Sequence, residues 1–167
     1  MGQRVTPSAP EPLADRHILD ELDSGVASLD DWLRRRARAN QADGASRTYV
    51  TCDGNVVIGY YALASGSIAT HDAIGRFRRN MPDPIPVVVL GRLAIDRRHH
   101  ARGLGRALVR DAALRVLAAG DEIGIRGLIV HAISEEAKAF YLSLGFLQSP
   151  TNDMTLMIPI GDLRHSL

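Results

Sequence analysis

The sequence predicts an α/β sandwich with a mixed sheet and one central βαβ unit, and three observations predict it. Two apolar runs of strand length, Val87–Ile95 and Gly127–Ile133, flank an amphipathic stretch, Gly103–Ala119, which is the order of a βαβ crossover. Upstream, the strand-like runs Arg47–Asp53 and Val56–Ala64 meet at Asp53-Gly54, a strong hairpin signal. A Gly-x-Gly turn, Gly103-Leu104-Gly105, stands where the first apolar strand hands over to the helix.

In chain order, Met1 to Pro12 is polar and holds Pro7, Pro10 and Pro12, which reads as a mobile tail ahead of one domain over 13–167. It has no apolar stretch of the kind a signal peptide carries. Ser28 to Ala42 reads as a helix with Leu29, Trp32, Leu33 and Ala37 at helical spacing. Ser28 is its expected cap, with Asp31 completing a capping-box pattern. After the hairpin, Thr70–Asn80 reads as a short helix. Met81–Pro86, with three prolines, reads as an extended loop. Val87 to Leu90 runs apolar, as a buried strand does. In the long helix, Leu104, Ala107, Leu108, Leu114 and Leu117 supply the apolar face. Ser134–Leu144 reads as a helix closed by Gly145, and Thr155–Ile160 as a last strand.

Composition narrows the classes. The chain has 167 residues, 46% hydrophobic and 23% charged, as a soluble single domain does. No apolar run approaches the roughly 20 residues that span a bilayer, so a cytoplasmic location is expected. The single cysteine, Cys52, rules out an internal disulfide or a site of several thiolates. The net charge is +1, but ten arginines lie between Arg76 and Arg115, and Arg34, Arg35, Arg36 and Arg38 crowd one segment. Either the codon usage of a GC-rich genome or a surface for phosphates accounts for this; arginine binds phosphate as a bidentate fork.

The turn His100-Ala101-Arg102-Gly103-Leu104-Gly105-Arg106-Ala107 opens directly into a helix. The first turn of a helix has unpaired N–H groups, and its dipole favours an anion there. Gly103 and Gly105 bring no side chain to hold a phosphate off the backbone. This is a cradle for a pyrophosphate. It is neither a P-loop nor a full dinucleotide fingerprint, since Leu108 stands at the third glycine's place.

That segment resembles the acetyl-CoA motif of GNAT-superfamily N-acetyltransferases. Ser134-Glu135-Glu136-Ala137-Lys138-Ala139-Phe140-Tyr141, followed by Gly145-Phe146, resembles the superfamily's second motif, about 30 residues on. Leu29-Asp30-Asp31-Trp32-Leu33, Ala45-Ser46-Arg47-Thr48-Tyr49-Val50, Leu90-Gly91-Arg92-Leu93-Ala94-Ile95-Asp96 and Val130-His131-Ala132 are similar to one branch, the GNAT toxins of bacterial toxin–antitoxin pairs. The resemblance covers about residues 13–163. It departs from the superfamily pattern at His100, where Arg or Gln is usual, and at Ser134, where Asn is common.

The resemblance implies a GNAT fold: a mixed, mostly antiparallel sheet flanked by helices, with a splayed central βαβ unit for acetyl-CoA. It implies an acetyl-CoA-dependent toxin that acetylates the α-amine of aminoacyl-tRNA and stops translation, with no metal. The implied partners are a second copy in a homodimer, a ribbon–helix–helix antitoxin, and operator DNA through the antitoxin complex. Implied cofactor contacts are Arg102, Gly103, Leu104, Gly105, Arg106, Ala107 and His100 around the diphosphate. Leu93, Ala94, Ile95, Ser134 and Ala137 lie along the pantetheine, and Tyr141 protonates the CoA thiolate. A phenol titrates near 10, close enough to a thiol to serve.

An α-amine titrates near 8 and an ester lowers it, so no strong base is required; free lysine, near 10.4, would need one. Arg78, Arg79 and Arg92 are expected to hold the tRNA acceptor end. For Arg34, Arg35 and Arg36, phosphate tracking, an acidic partner and a plain solvated helix face all stand. Glu135 and Glu136 read as solvated helix-start charges, His131 as a core histidine with a contact to the acceptor as the alternative, and Cys52 as an ordinary buried residue. Two other functions remain open: acetylation of a protein N-terminus or small amine, and a CoA-binding regulatory module acting through an antitoxin–DNA complex.

Overall fold

The computed structural model describes residues 6–79 and 81–166. Its strands are hydrogen-bonded in the order β1-β2-β3-β4-β5-β7-β6. They are Glu11–Pro12 (β1), Arg47–Asp53 (β2), Val56–Ile68 (β3), Ile85–Ile95 (β4), Gly127–His131 (β5), Leu147–Gln148 (β6) and Thr155–Pro159 (β7). The helices are Ala27–Arg35 (α1), Ala37–Ala42 (α2), Gly75–Arg78 (α3), Leu104–Ile123 (α4), Glu135–Ser143 (α5) and Ile160–Ser166 (α6). The chain forms two compact units, Met1–Leu63 with Arg92–Asp111 and Ala64–Gly91 with Ala112–Leu167. Strands β3 and β4 and helix α4 pass through both.

In the first unit β2 and β3 form the expected hairpin, with Asp53 opposite Val56 and the loop Gly54-Asn55 between them. Gly54 has φ 62°, which the left-handed turn requires. Helix α1 buries Leu29 and Leu33, and α2 buries Ala37, against Val50, Cys52, Tyr60 and Ala94. Each fully buried aliphatic side chain contributes about 1.5–3 kcal/mol. The Tyr60 hydroxyl donates to the Leu29 carbonyl at 2.6 Å, and burial pushes its phenol up, so the proton stays in place.

The expected single helix over 28–42 is broken at Arg36, where φ is −122°. Its expected cap is also corrected. Residue Val26 precedes the first turn with no side-chain cap bond. The buried Asp30 instead turns back, accepting from the Ser24 N–H at 3.1 Å and from the Ser24 hydroxyl at 2.6 Å. Asp31 pairs with Arg34.

Part of the expected tail is tied to the sheet. Residues 1–5 lie outside the described residues, but Ser8 N–H donates to the Cys52 carbonyl at 2.9 Å, and Glu11 and Pro12 pair with Val50 and Tyr49. A buried strap holds this segment. The His17 side chain is 0% exposed; Nδ1 accepts from the Ala14 N–H at 2.9 Å and Nε2 meets Glu11 at 2.8 Å. Glu11, His17 and Cys52 are the three-residue group of metal-ligand type found among the described residues. The cation at Glu11 is Arg16, at 2.6 Å on the same oxygen that His17 uses. Cys52 is buried, and that burial pushes its thiol up to about 11.

In the second unit β4 and β5 run parallel, with Val88, Val89 and Leu90 opposite Leu128, Ile129 and Val130. Strand β7 is antiparallel to both β5 and β6. Ile85, Val87, Ile129 and Met157 pack with Ile68, Ala73 and Phe77. The segment expected to be one helix over 70–80 is a 3-10 turn, Thr70–Asp72, followed by α3; Asn80 lies outside the described residues. Strand β4 begins at Ile85 rather than Val87, because Pro86 stands in its first positions, where a missing donor is tolerated. No helix among the described residues is long and apolar enough to cross a membrane.

Candidate active site

In the first unit, β4 ends at Ile95 and the chain turns through Asp96 and a 3-10 segment, Arg97–His99, into α4. Asp96 anchors this turn. It is 1% exposed and accepts from the Arg98 N–H at 3.0 Å, from Arg98 Nε at 2.9 Å and Nη2 at 3.1 Å, and from the Asp23 N–H at 3.1 Å. Desolvation would raise its carboxyl. The Arg98 guanidinium and the two N–H groups outweigh that and hold it down at about 2. The folded value lies below the ordinary 3.9, so the stabilisation is present above pH 4 and is lost as pH falls toward 2. The size is roughly 2 kcal/mol. Denaturant unfolding at pH 6 and pH 3 is expected to show this loss, and Asp96→Asn to show much less pH dependence over that window.

After the 3-10 segment come two left-handed residues, Ala101 at φ 61° and Gly103 at φ 75°. The Ala107 N–H is the first to find a helical acceptor, the Gly103 carbonyl at 3.1 Å. The N–H groups of Leu104, Gly105 and Arg106 therefore have no partner within the helix. Arg102, Gly103, Arg106 and Ala107 are exposed, and a Cβ at Gly103 would meet nothing within 4 Å. This is an open anion cradle at the positive end of a 20-residue helix.

His100 is exposed, and its Nε2 is 2.7 Å from the Ile95 carbonyl, so the ring braces the turn against the end of β4. The side chain of Arg92 lies on α1. Its guanidinium lies 4.8 Å over the Trp32 ring, and Trp32 stacks on Tyr60. Such a cation–π contact is worth on the order of 1 kcal/mol and holds the side chain on α1. Arg34 is occupied by Asp31 at 2.8 Å, while Arg35 and Arg36 are exposed.

Leu93, Ala94 and Ile95 end β4 in the first unit. In the second unit the β4–β5 ladder closes at Leu90 opposite Val130. Ser134 caps α5: its hydroxyl accepts from the Ala137 N–H at 3.0 Å. Asparagine can do the same, so the departure from the family pattern preserves the helix start. Glu135 and Glu136 are exposed in the first turn, as expected, where the dipole favours them. Tyr141 is 7% exposed, with Phe140 at 5.2 Å and Phe146 at 5.5 Å in edge contacts. Gly145, at φ 99°, turns the chain so that Phe146 reaches the ring. Burial alone pushes the Tyr141 phenol up. It is a neutral donor throughout the physiological range. Arg78 and Arg79 are exposed at the end of α3.

A cavity of about 400 Å³ in this unit has no counterpart among the sequence expectations. Val89, Ile129, Ile68 and Ala69 form its apolar part; Ser67, Asp72, His131, Ser149, Thr151, Asn152 and Thr155 form its polar part. His131, expected to be a core residue, is exposed here because it is the last residue of β5. No local pattern announces this cavity, since five separate segments supply it. The Val130-His131-Ala132 match was the one available signal.

Comparison with known proteins agrees with this geometry. Residues 44–148 match the model of the acetyltransferase (GNAT) domain. A tRNA-acetylating toxin of Mycobacterium tuberculosis (strain ATCC 25618 / H37Rv) is 52% identical, over 94% of this chain and 95% of its own length. The structure of AtaT complexed with acetyl-methionyl-tRNAfMet is 30% identical, covers 96% of this chain and 98% of that one, and has a TM-score of 0.89. A tyrosine-to-phenylalanine mutant of AtaT, bound to acetyl-CoA and the C-terminus of the antitoxin AtaR, is 30% identical, with a TM-score of 0.82 and coverage of 95% and 96%.

Proposed function

Since this chain belongs to the GNAT acetyltransferase family, we propose that it is a toxin that transfers the acetyl group of acetyl-CoA to the α-amine of aminoacyl-tRNA and so halts translation. The observation that carries this reading is likeness to a tRNA-acetylating toxin along 94% of the chain, joined to an anion cradle with unpaired amides. The free amides at Leu104, Gly105 and Arg106 hold the diphosphate, with Arg102 and Arg106 adding charge. The β4 backbone at Leu93, Ala94 and Ile95, beyond the ladder with β5, lies along the pantetheine and offers an N–H to the thioester oxygen. Tyr141 donates to the departing sulfur. Arg34, Arg35, Arg36, Arg78, Arg79 and Arg92 face the nucleic acid's phosphates.

The protein works in the cytoplasm as a homodimer, is neutralised by a ribbon–helix–helix antitoxin, and occupies operator DNA in that complex. The antitoxin-bound and tRNA-bound AtaT structures support the antitoxin and the tRNA as partners. Incubation with radiolabelled acetyl-CoA and total charged tRNA is expected to label only aminoacylated molecules, and less so as salt rises. Equal labelling of deacylated tRNA would refute the α-amine assignment.

A further inference from the structure

The cavity of the second unit has polar and apolar walls and one histidine in its lining. The β4–β5 ladder ends at Leu90 opposite Val130, and His131 is the next residue along β5. Its side chain lines the cavity together with Ile129, two residues back on the same face, and Val89 of β4. The ring does not swing freely. Nδ1 is 3.0 Å from the Thr155 hydroxyl, on the β7 residue paired with His131. Nε2 makes no hydrogen bond among the described residues. When Nδ1 carries the proton and donates to Thr155, Nε2 presents a lone pair to the cavity.

Asp72 is the acidic residue of the same lining. It is fixed by the Thr151 hydroxyl and has His71 at 3.3 Å. One negative charge in the lining draws in an ammonium group, which sheds one proton to solvent to become the attacking neutral amine, and a volume of about 400 Å³ holds an amino acid together with the ribose that carries it.

We propose, resting on the substrate reading above, that this cavity receives the aminoacyl end of the acceptor and that His131 Nε2 takes the proton the attacking amine gives up. The amine lone pair forms the new N–C bond at the thioester carbonyl. The C–S bond breaks, and sulfur leaves with its electron pair. One amine proton passes to His131, which releases it to solvent. The thiolate takes its proton from the Tyr141 hydroxyl, and that hydroxyl is replenished from solvent.

The test uses the full-length protein with charged tRNA. His131→Gln keeps a polar side chain toward Thr155 but cannot accept a proton. It is expected to lower kcat/KM for charged tRNA about a hundredfold and leave KM for acetyl-CoA and Tm unchanged. His131→Gly is expected to recover at least about tenfold with added imidazole. A His131→Gln enzyme within about threefold of wild type overturns the proposal, as does a His131→Gly enzyme that imidazole does not rescue. If wild-type protein acetylates no charged tRNA, the substrate reading itself fails and this proposal falls with it. Failure confined to the variants belongs to the His131 role alone.

Discussion

Tyr141→Phe is expected to lose acetyl transfer by at least about a hundredfold while the fold stays intact. The edge contacts with Phe140 and Phe146 are made by the ring, which phenylalanine retains. What disappears is one O–H donor. General acid catalysis contributes about 10²–10⁴ in rate. The lower end is expected here, because burial makes the phenol a weaker acid, and each tenfold weakening makes transfer to a thiolate about 1.4 kcal/mol less favourable. The compensation is that the donor stays protonated throughout the range in which cells live. Single-turnover rates with acetyl-CoA and charged tRNA measure the loss. A Tyr141→Phe rate within threefold of wild type would remove the tyrosine from the mechanism.

Gly127→Ala is expected to be the most destabilising of the single-methyl insertions at glycine. A Cβ there would lie 2.4 Å from Phe77 Cζ, 2.6 Å from Phe77 Cε2 and 2.7 Å from the Ile158 carbonyl oxygen. The ring can shift only at the expense of the cluster it fills, since Phe77 is 1% exposed. The carbonyl belongs to β7, whose ladder with β5 holds it in place. Overpacking of this kind costs about 3 kcal/mol or more, a fall in Tm of roughly 6–12 °C at this chain length. Gly120→Ala is the control. Its Cβ would meet the Ile160 Cδ1 methyl at 2.2 Å, but that is the tip of a flexible side chain. Alanine also gains about 1 kcal/mol of helix propensity inside α4. Thermal melts should separate the two variants clearly; equal Tm values would contradict the reading.

The features legible in the sequence were those whose physics is local. The turn at Gly103 needs only a strand, two glycines and a helix start. The hairpin at Asp53-Gly54 needs only a left-handed residue between two strand-like runs. Ser134 and Gly145 mark the two ends of α5 by capping chemistry confined to one turn. What was not legible depends on distant partners. The break at Arg36 leaves no propensity signal, and α1 starts after Val26 with no side-chain cap, while Asp30 bonds back to Ser24 outside the expected helix. Arg92 reads as a substrate contact because a charge in an apolar strand invites one; nothing local announces that its guanidinium lies over Trp32, sixty residues earlier. His131 was read as buried because β5 is apolar, yet it stands where that strand stops. The cavity beside it draws on β3, the 3-10 turn, β4, β5 and the segment before β7, and no window of sequence contains them all.

The N-terminal strap that carries Ser8 along β2 has a practical consequence. It covers Cys52, the chain's one thiol, and a value near 11 leaves about one part in ten thousand as thiolate at pH 7. Maleimide reagents attack the thiolate, so the native protein is in effect blank to them. A cysteine introduced at any exposed site, for instance at Arg79 or Arg106, will be the sole position to take a fluorophore, with no need to delete the natural one first.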